Sequence, residues 1–261
     1  MVAKPNQYTR KYAEAFKERA VARAYLNRPP YPPELLTLLR GLIVDEPRVV
    51  LDLGCGPGEI ARGLAPHVDR VDAVDASEAM VDVGKTLPDG DHPNLNWCCS
   101  PAEEFAFANG YALIVAADSL HWMDWETVFP LMRRALAPNG RLVIVMRQHE
   151  GPWSEELMAL MPRYSIIKGY VPHDMVAALQ EGGFFDLEQR MTTQPVPVTQ
   201  SIEQYIEFWH SRSGFPRQRM GREQAERFDE ELRRLVLPHA SGGMLRYDVS
   251  AALAWGVPRG G

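Results

Sequence analysis

The stretch Val49-Val50-Leu51-Asp52-Leu53-Gly54-Cys55-Gly56-Pro57-Gly58 decides the fold. Its first five residues form a short, mostly apolar run, which is typical of a strand buried in a parallel sheet. The three glycines that follow allow the backbone to turn tightly and to approach a ligand closely. A helical segment begins at Glu59, and its first N–H groups would be free to face that ligand. A strand, a glycine-rich loop and a helix in this order predict a ligand-binding loop.

Further apolar runs alternate with helical segments along the chain, and these runs are the other predicted strands. They span residues 71–74, 95–99, 112–117, 142–146, 184–192 and 245–255. Ser77 suits the N-cap of a helix that runs to Lys85, and Ser201 with Gln204 matches a capping box. Strands that alternate with helices of this length are the signature of βαβ units. We therefore predict an α/β fold with a Rossmann-like, doubly wound sheet.

The patterning divides the chain into four parts. Tyr8, Tyr12 and Phe16 recur at every fourth position, which predicts one aromatic face on an N-terminal helix. A run of prolines from Pro29 to Pro33 breaks that helix before another begins. The predicted parts are an N-terminal helical cap (1–46), a Rossmann-like core (47–199), a helical insertion beside the acceptor pocket (200–238) and a final strand of the sheet (239–261).

Composition and charge exclude several classes of protein. Of the 261 residues, 46% are hydrophobic, which is too many for an intrinsically disordered chain. The longest apolar runs are far shorter than the roughly 20 residues of a membrane span, and residues 1–28 lack the apolar segment of a secretory signal. The net charge of −6 argues against nucleic-acid binding, which depends on clustered Lys and Arg. We therefore expect neither a membrane nor a nucleic-acid partner.

The three cysteines are Cys55, Cys98 and Cys99. An odd number, with two of them adjacent, does not fit a disulfide framework, and no Cys-x-x-Cys spacing indicates a zinc site. Reduced thiols of this kind are typical of cytoplasmic proteins. We expect a cytoplasmic protein, a monomer or a homodimer, that holds no metal ion.

Two acidic residues indicate which kind of ligand the glycine-rich loop binds. Asp75 ends the second predicted strand, 21 residues after Gly54, where a carboxylate can accept hydrogen bonds from a ribose diol. Glu59 stands where a dinucleotide-binding fold usually has its third glycine, so this loop is not built for close contact with a pyrophosphate. A dehydrogenase therefore stays open only as a weaker alternative.

Residues 51–58 resemble motif I of the class I S-adenosylmethionine-dependent methyltransferases. The similarity extends through Asp75, the segment 100–103 and the turn 136–140. Leu120-His121-Trp122-Met123-Asp124 resembles a segment of the trans-aconitate methyltransferase-like (methyltransferase type 11) group, as do residues 28–32 and 211–213. The resemblance implies a seven-stranded, mostly parallel sheet with an antiparallel last strand. It also implies methyl transfer to a small molecule.

The resemblance implies S-adenosylmethionine as the cofactor, converted to S-adenosylhomocysteine, and it assigns the cofactor contacts. Asp75 would bind both ribose hydroxyls, and Asp118 with Ser119 would flank the reactive end. Two plainer alternatives stay open, because Asp52 could merely order the loop and Glu103 could complete a capping box with Ser100. The full set of candidate cofactor residues is Asp52, Gly54, Cys55, Gly56, Gly58, Asp75, Ala76, Met80, Ala102, Glu103, Asp118 and Ser119.

His121 is the candidate catalytic base. It follows the fourth predicted strand at its carboxyl end, where open α/β sheets place their ligands. The ordinary histidine pKa of about 6.5 suits proton abstraction from a hydroxyl or an ammonium at neutral pH, whereas a carboxylate acceptor needs no base. The alternative is a histidine that only shapes the pocket floor beside Trp122. Tyr8 and Tyr12 are further catalytic candidates, which would close the site against water.

Five residues are candidates for binding the methyl acceptor: Tyr25, Tyr31, Trp122, His210 and Arg212. The Arg212 guanidinium could hold a carboxylate through two parallel hydrogen bonds. We predict a methyltransferase that modifies a carboxylate or hydroxyl oxygen of a small molecule, in metabolism or natural-product biosynthesis. Two alternatives use the same cofactor, an enzyme that transfers another group and a sensor without catalysis.

Overall fold

A computed structural model describes residues 4–260, and it centres on an eight-stranded sheet. The strands are β1 (Val49–Leu53), β2 (Arg70–Asp75), β3 (Leu95–Cys99), β4 (Tyr111–Ala117), β5 (Leu136–Glu150), β6 (Phe185–Thr192), β7 (Val196–Ser201) and β8 (Met244–Pro258). The helices are α1 (Arg10–Ala13), α2 (Arg19–Tyr25), α3 (Pro33–Gly41), α4 (Glu59–Leu64), α5 (Glu78–Thr86), α6 (Trp125–Ala135), α7 (Ser154–Tyr164), α8 (Met175–Glu181), α9 (Ile202–His210), α10 (Arg217–Met220) and α11 (Arg222–Val236). Within residues 4–260, no helix has the length and apolar character that a membrane crossing requires.

The order of the strands places the ligand site. Across the sheet the order is β3-β2-β1-β4-β5-β8-β6, and the first five strands are parallel. The strand order reverses between β1 and β4, so the loops that leave these two strands diverge at the carboxyl edge of the sheet. Open α/β sheets hold ligands in the crevice that this divergence creates. The glycine-rich loop after β1 lies at this crevice.

The sheet confirms the predicted α/β class and the antiparallel last strand, because β8 runs antiparallel to β5, β6 and β7. The predicted number of seven strands differs from the observed eight. β6 and β7 pair with successive halves of β8 along the edge opposite β5, so together they fill one position of the sheet. β7 contains Pro197, which lacks an N–H and is tolerated at an edge strand, and this proline hid the strand in the sequence.

The two faces of the sheet are covered by separate apolar clusters. Val50 faces a cluster with Leu35 of α3 and Ile60 of α4. Its neighbours Leu51 and Leu53 face the opposite cluster, to which α6 and α8 contribute. All five residues of β1 are buried, which explains why this strand reads as a continuous apolar run rather than an alternating one.

A third apolar cluster lies under the C-terminal helices. It joins side chains of α7, α9 and α11 to the first half of β8, and Trp153, Tyr205, Phe228 and Leu245 lie at its centre. The capping box predicted at Ser201 is present and begins α9, because the Ser201 and Gln204 side chains each accept a hydrogen bond from the other's backbone N–H.

The N-terminal segment is broken where the sequence predicted one aromatic helix face. Extended backbone at Thr9 and Glu18 separates α1 and α2 from short 3-10 turns. The Tyr8 and Phe16 rings lie 5.8 and 5.6 Å from the Trp122 ring, measured between centroids. Tyr12 instead lies half-buried on α1. The prediction of a continuous face is therefore wrong, because 3-10 turns do not keep the α-helical period.

Candidate active site

The glycine-rich loop depends on glycine for two independent reasons. Gly54, Gly56 and Gly58 have φ angles of 75°, 56° and 72°, a left-handed conformation that side chains strongly disfavour. In addition, a Cβ atom at Gly54 would collide with the Ser119 side chain, and one at Gly58 would collide with the Trp97 ring. The Gly54 N–H donates to the Val74 carbonyl at 2.7 Å, which fixes the loop against the end of β2.

We expect Gly54→Ala to destabilise the protein more than Gly110→Ala does. Gly110 also has a positive φ, 89°, but an added Cβ there would meet nothing within 4 Å. Gly110→Ala therefore measures the backbone cost alone, about 1–2 kcal/mol. Gly54→Ala adds the collision with Ser119, for a further loss of about 1–3 kcal/mol. Urea unfolding of both variants tests this expectation, and equal losses would contradict it.

Asp75 ties the glycine-rich loop to the start of α5. Its Oδ2 accepts a hydrogen bond from the Gly56 N–H at 2.8 Å, and its Oδ1 accepts one from the Ser77 N–H at 2.8 Å. Burial raises the pKa of this carboxyl group above its ordinary value. Ser77 is the predicted N-cap of α5, and its Oγ accepts from the Met80 N–H.

Asp52 lies beneath the loop. Its Oδ2 accepts a hydrogen bond from the Ala61 N–H of α4 at 3.0 Å. Its Oδ1 is buried without a hydrogen-bond partner among the described residues, and burial raises the pKa of the group to about 7. This contact joins the end of β1 to the helix after the loop, which is the loop-ordering geometry that the sequence left open as an alternative.

A cavity of about 1090 Å³ opens beside this loop. Most of the candidate cofactor residues line it, together with two of the candidate acceptor residues, Tyr25 and Trp122. The lining cofactor candidates are Gly54, Gly56, Asp75, Ala76, Met80, Ala102, Glu103, Asp118 and Ser119. Asp52, Cys55 and Gly58 lie outside the lining, Asp52 beneath the loop and the other two within it. The N-terminal segment supplies the opposite wall, notably through Phe16 and Arg28.

Glu103 does not form the capping box that was an alternative for it. The Ser100 hydroxyl donates to the Pro101 carbonyl, and no helix begins at this point of the chain. The Glu103 Oε1 instead accepts a hydrogen bond from the Asp124 N–H at 2.7 Å. Glu103 thus connects the segment after β3 to the start of α6 across the cavity.

The end of β4 carries a strained residue at the cavity wall. Asp118 has a φ of 50°, which is uncommon for a residue other than glycine and concentrates at functional sites. Its Oδ2 accepts from the Tyr31 hydroxyl at 3.0 Å, and its Oδ1 accepts from the Arg147 N–H at 3.3 Å. The Ser119 hydroxyl donates to the Leu53 carbonyl at 2.7 Å, which ties β4 to β1.

The three candidate catalytic residues lie outside the cavity lining. The ring of His121 is packed between Tyr8 and Trp122, at 4.5 and 4.7 Å between ring centroids. Burial lowers the pKa of His121 to about 4, so the ring is neutral at pH 7 and is a weaker base than the ordinary histidine pKa implied. Tyr12 makes no ring contact with His121 among the described residues.

Tyr31, His210 and Arg212 also lie outside the lining. The Tyr31 hydroxyl donates to Asp118, which does line the cavity. His210 is buried within the C-terminal helices, where its Nδ1 lies 2.7 Å from the Phe215 carbonyl and its Nε2 lies 2.6 Å from Asp229. These two contacts occupy both ring nitrogens and hold the end of α9 against α11.

The sequence reasoning missed Arg147. This residue follows the apolar part of β5 at the carboxyl edge of the sheet. His121 follows β4 at the same edge, and that position was the reason for selecting His121 from the sequence. Its side chain is 7% exposed, and its Nη2 lies 2.6 Å from Glu59 Oε2. The other Glu59 oxygen accepts from the Tyr31 N–H at 2.6 Å. Glu59 therefore joins the Tyr31 backbone to the Arg147 guanidinium, in addition to standing where a dinucleotide-binding fold has a glycine.

His149, two residues further on, gives a pH prediction. Burial and three neighbouring arginines lower its pKa from 6.5 to about 3. The unfolded chain takes up this proton near pH 6.5 whereas the folded chain does not, so stability is lost as the pH falls below 6.5. We expect His149→Gln to lose about 2 kcal/mol less than the wild type between pH 7 and pH 5.

Urea unfolding at the two pH values measures this difference. The raised pKa of Asp52, about 7, acts in the opposite direction because the folded chain then holds the extra proton. That contribution is common to both proteins, so the difference between them isolates His149. Identical pH dependence in the wild type and the variant would contradict the prediction.

Metal ligands do not converge in the part of the chain that the structure describes. Among residues 4–260, no group of three His, Cys, Asp or Glu side chains is placed to hold an ion. The three cysteines are unpaired, and Cys99 is exposed.

The chain is similar in sequence to methyltransferases. Residues 50–140 match the sequence family described as "Methyltransferase domain". An uncharacterised methyltransferase-like protein of Schizosaccharomyces pombe is 30% identical over 142 residues, which is 52% of this chain and 54% of that protein. The trans-aconitate 2-methyltransferase of Azoarcus sp. is 30% identical over 135 residues, 46% of this chain and 52% of that enzyme. The matched part of the chain thus spans about half the length of these curated relatives.

The fold has solved counterparts over most of the chain. A structure from Anaeromyxobacter dehalogenans, described as a "Putative Type II Methyltransferase", superimposes with a TM-score of 0.64. The superposition covers 88% of this chain and 97% of that one at 20% identity.

Proposed function

We propose that this chain, whose residues 50–140 match the sequence family described as "Methyltransferase domain", transfers a methyl group from S-adenosylmethionine to a small-molecule acceptor. One observation carries the proposal. Asp75 and the left-handed glycines Gly54 and Gly56 face the same cavity, with the Asp75 carboxylate already hydrogen-bonded to the loop. A carboxylate at this place is suited to a ribose diol.

The residues present fit the proposed cofactor. The cavity of about 1090 Å³ is slightly larger than the usual range for small-molecule sites, about 300–1,000 Å³, which leaves space for a cofactor and an acceptor together. Gly54 and Gly56 would present backbone groups to its amino-acid half, and Asp75 would accept hydrogen bonds from the ribose. Ala76 and Ala102 would pack on the adenine. When bound, the cofactor supplies an electrophilic methyl group on its sulfonium.

The main task of the protein is then to align the acceptor and to exclude water. Orientation of this kind contributes about 7–11 kcal/mol to a displacement reaction. We propose that Tyr8, Tyr25 and Trp122 form part of the acceptor side of the cavity. We also propose that Tyr12 helps the N-terminal segment to cover the acceptor and exclude water. The neutral His121 has a free lone pair, so it is the candidate base for a hydroxyl acceptor, and a carboxylate acceptor would not need it.

We propose transfer to an oxygen atom, either of a carboxylate or of a hydroxyl, in a cytoplasmic protein that acts as a monomer or a homodimer. The free cysteines and the net charge of −6 support the location and the absence of a nucleic-acid partner. The likeness to trans-aconitate 2-methyltransferase over 135 residues supports a small-molecule acceptor.

Two measurements test the proposal. Calorimetric titration should show binding of S-adenosylhomocysteine and none of NAD, because Glu59 replaces the third glycine of a dinucleotide site. A labelled-methyl transfer screen across small acids, phenols and amines should then yield a product that has gained one methyl group. NAD binding would favour a dehydrogenase, and cofactor binding without any methylated product would favour a sensor.

A further inference from the structure

Three arginines from distant parts of the chain meet around His149, and one of them, Arg28, also lines the cavity. Arg28 follows α2 and lines the cavity, Arg147 ends the buried part of β5, and Arg212 follows α9. We call them the arginine cluster. They surround His149, whose Nε2 lies 3.4 Å from the Arg212 Nη1. Arg28 donates to the hydroxyl and the carbonyl of Ser211, both at 2.9 Å, which places it beside Arg212 in the chain.

The three positive charges of the cluster exceed the two carboxylates that act on it, Glu59 and Asp118. Arg147 pairs with Glu59, whereas Arg28 and Arg212 form no ion pair with another described residue and contact neutral groups. The Nε and Nη1 of Arg147 are buried and lack a hydrogen-bond partner in the described chain. Unpaired buried donors of this kind are costly to a fold. A ligand that accepted hydrogen bonds from these donors would remove this cost.

Aromatic rings lie against all three guanidinium groups, with Arg212 4.7 Å from the Trp209 ring centroid and the other two closer. Arg28 lies over the Tyr25 ring at 3.8 Å and Arg147 over the Tyr31 ring at 3.7 Å, measured to the ring centroids. Tyr25 also lines the cavity, and Tyr31 donates its hydroxyl to Asp118. Stacking fixes the orientation of a guanidinium, which prepares its planar donors for a planar acceptor.

We infer that the arginine cluster binds a carboxylate of the methyl acceptor, and that this carboxylate is not the group that is methylated. The inference rests on the proposed function. A carboxylate matches the planar donors of a guanidinium through two parallel hydrogen bonds. It would enter from the cavity side, past Arg28 and Tyr25.

The positive charge of the cluster indicates that the bound carboxylate holds the acceptor in place and is not itself methylated. We call such a carboxylate an anchor. Methylation of a carboxylate oxygen forms an O–C bond, breaks the S–C bond of the sulfonium and removes the negative charge. Several nearby positive charges stabilise the anionic ground state more than the partly neutralised transition state, so they would slow that reaction. The acceptor therefore carries a second oxygen, of a hydroxyl or of another carboxylate, that receives the methyl group.

Matched pairs of small probes test the inference in the full-length protein loaded with S-adenosylhomocysteine. The probes are hydroxy acids and dicarboxylic acids of three to six carbons, each beside the analogue in which one carboxylate is a primary amide. We expect at least one acid to bind at least tenfold more tightly than its amide by calorimetry. Arg212→Gln should weaken binding of that acid about 10- to 100-fold and leave its amide unchanged.

Controls separate this inference from the proposed function. S-adenosylhomocysteine affinity is measured first, and its loss would refute the proposed function and not the anchor. Arg222 lies on the exposed face of α11, and its side chain is 91% exposed. Arg222→Gln should therefore leave the affinities for the acid and for its amide unchanged. Arg212→Lys should recover part of the acid affinity because it restores the charge without the planar fork.

Three outcomes would overturn the inference while cofactor binding is intact. They are equal affinities for every acid and its amide, binding of none of the acids, and an Arg212→Gln variant that still distinguishes acid from amide. If Arg212→Gln does not fold, the wild-type comparison of acid with amide decides, together with Arg28→Gln. A methyl acceptor from the labelled screen that has no acidic group would also refute it.

Discussion

Asp75→Asn is expected to weaken binding of S-adenosylhomocysteine at least 100-fold. The carboxylate of Asp75 accepts from the Gly56 and Ser77 N–H groups and keeps further lone pairs for a ribose diol. An asparagine must point its NH₂ group at one of these N–H donors, which leaves that donor unsatisfied or turns the loop. Loss of charge-assisted hydrogen bonds to a buried acceptor costs about 3 kcal/mol, which corresponds to roughly 100-fold in affinity.

A matched control lies on the same strand. Asp72 of β2 accepts from the Tyr111 hydroxyl at 2.8 Å and lies outside the cavity lining. Asp72→Asn should therefore lower the free energy of unfolding and leave cofactor affinity within about twofold. Calorimetry and urea unfolding of both variants make the comparison. A folded Asp75→Asn variant with affinity near that of the wild type would refute the assignment of Asp75 to the ribose.

The sequence predicts best where one short segment carries the whole signal. The bounds of β1 and β3 match the predicted runs, and the Ser77 and Ser201 caps begin their helices as expected. Each of these depends on neighbours a few positions away. The resemblance to the methyltransferases, drawn from residues 51–58 and from motifs that extend to residue 140, is confirmed by the domain match over 50–140.

Features that depend on distant contacts were not predictable. Pro197 hid β7, whose pairing with β8 spans about fifty positions of the chain. Arg147 and His149 belong to a long, mixed segment of β5, and only the fold brings them against Arg28 and Arg212. The same holds for the pKa of His121, which burial rather than residue type determines. Local motifs thus predicted the proposed cofactor side, while the proposed acceptor side required the three-dimensional structure.

Deletion of residues 1–17 is expected to reduce methyl transfer at least 100-fold while the sheet remains folded. Residues 4–17 are a wall of the cavity, to which they contribute Phe16 and Lys17 among others. Contacts hold the segment at several points along its length. The Ser77 hydroxyl donates to the Phe16 carbonyl at 2.7 Å, Arg219 Nη1 donates to the Lys11 carbonyl at 2.9 Å, and Gln7 exchanges two hydrogen bonds with the Val171 backbone.

The expected split between binding and turnover follows from this placement. The large apolar clusters of the sheet and of the C-terminal helices contain none of residues 4–17, so the deletion should leave them packed. Gly54, Gly56 and Asp75 also remain, so S-adenosylhomocysteine affinity should fall only about tenfold. Without the wall, however, water enters the cavity and the acceptor loses its alignment, which is the larger contribution to the rate.

Three measurements are made on one preparation. Circular dichroism reports whether the chain is folded, calorimetry gives the affinity for S-adenosylhomocysteine, and labelled-methyl transfer to an acceptor from the screen gives the rate. Gln7→Ala is the graded counterpart, because it removes only the two hydrogen bonds to Val171 and should lower the rate by a smaller factor with normal cofactor affinity. Global unfolding of the truncated chain would instead mean that the segment stabilises the sheet. A truncated protein that keeps its turnover would show that the acceptor is aligned by the sheet and the C-terminal helices alone.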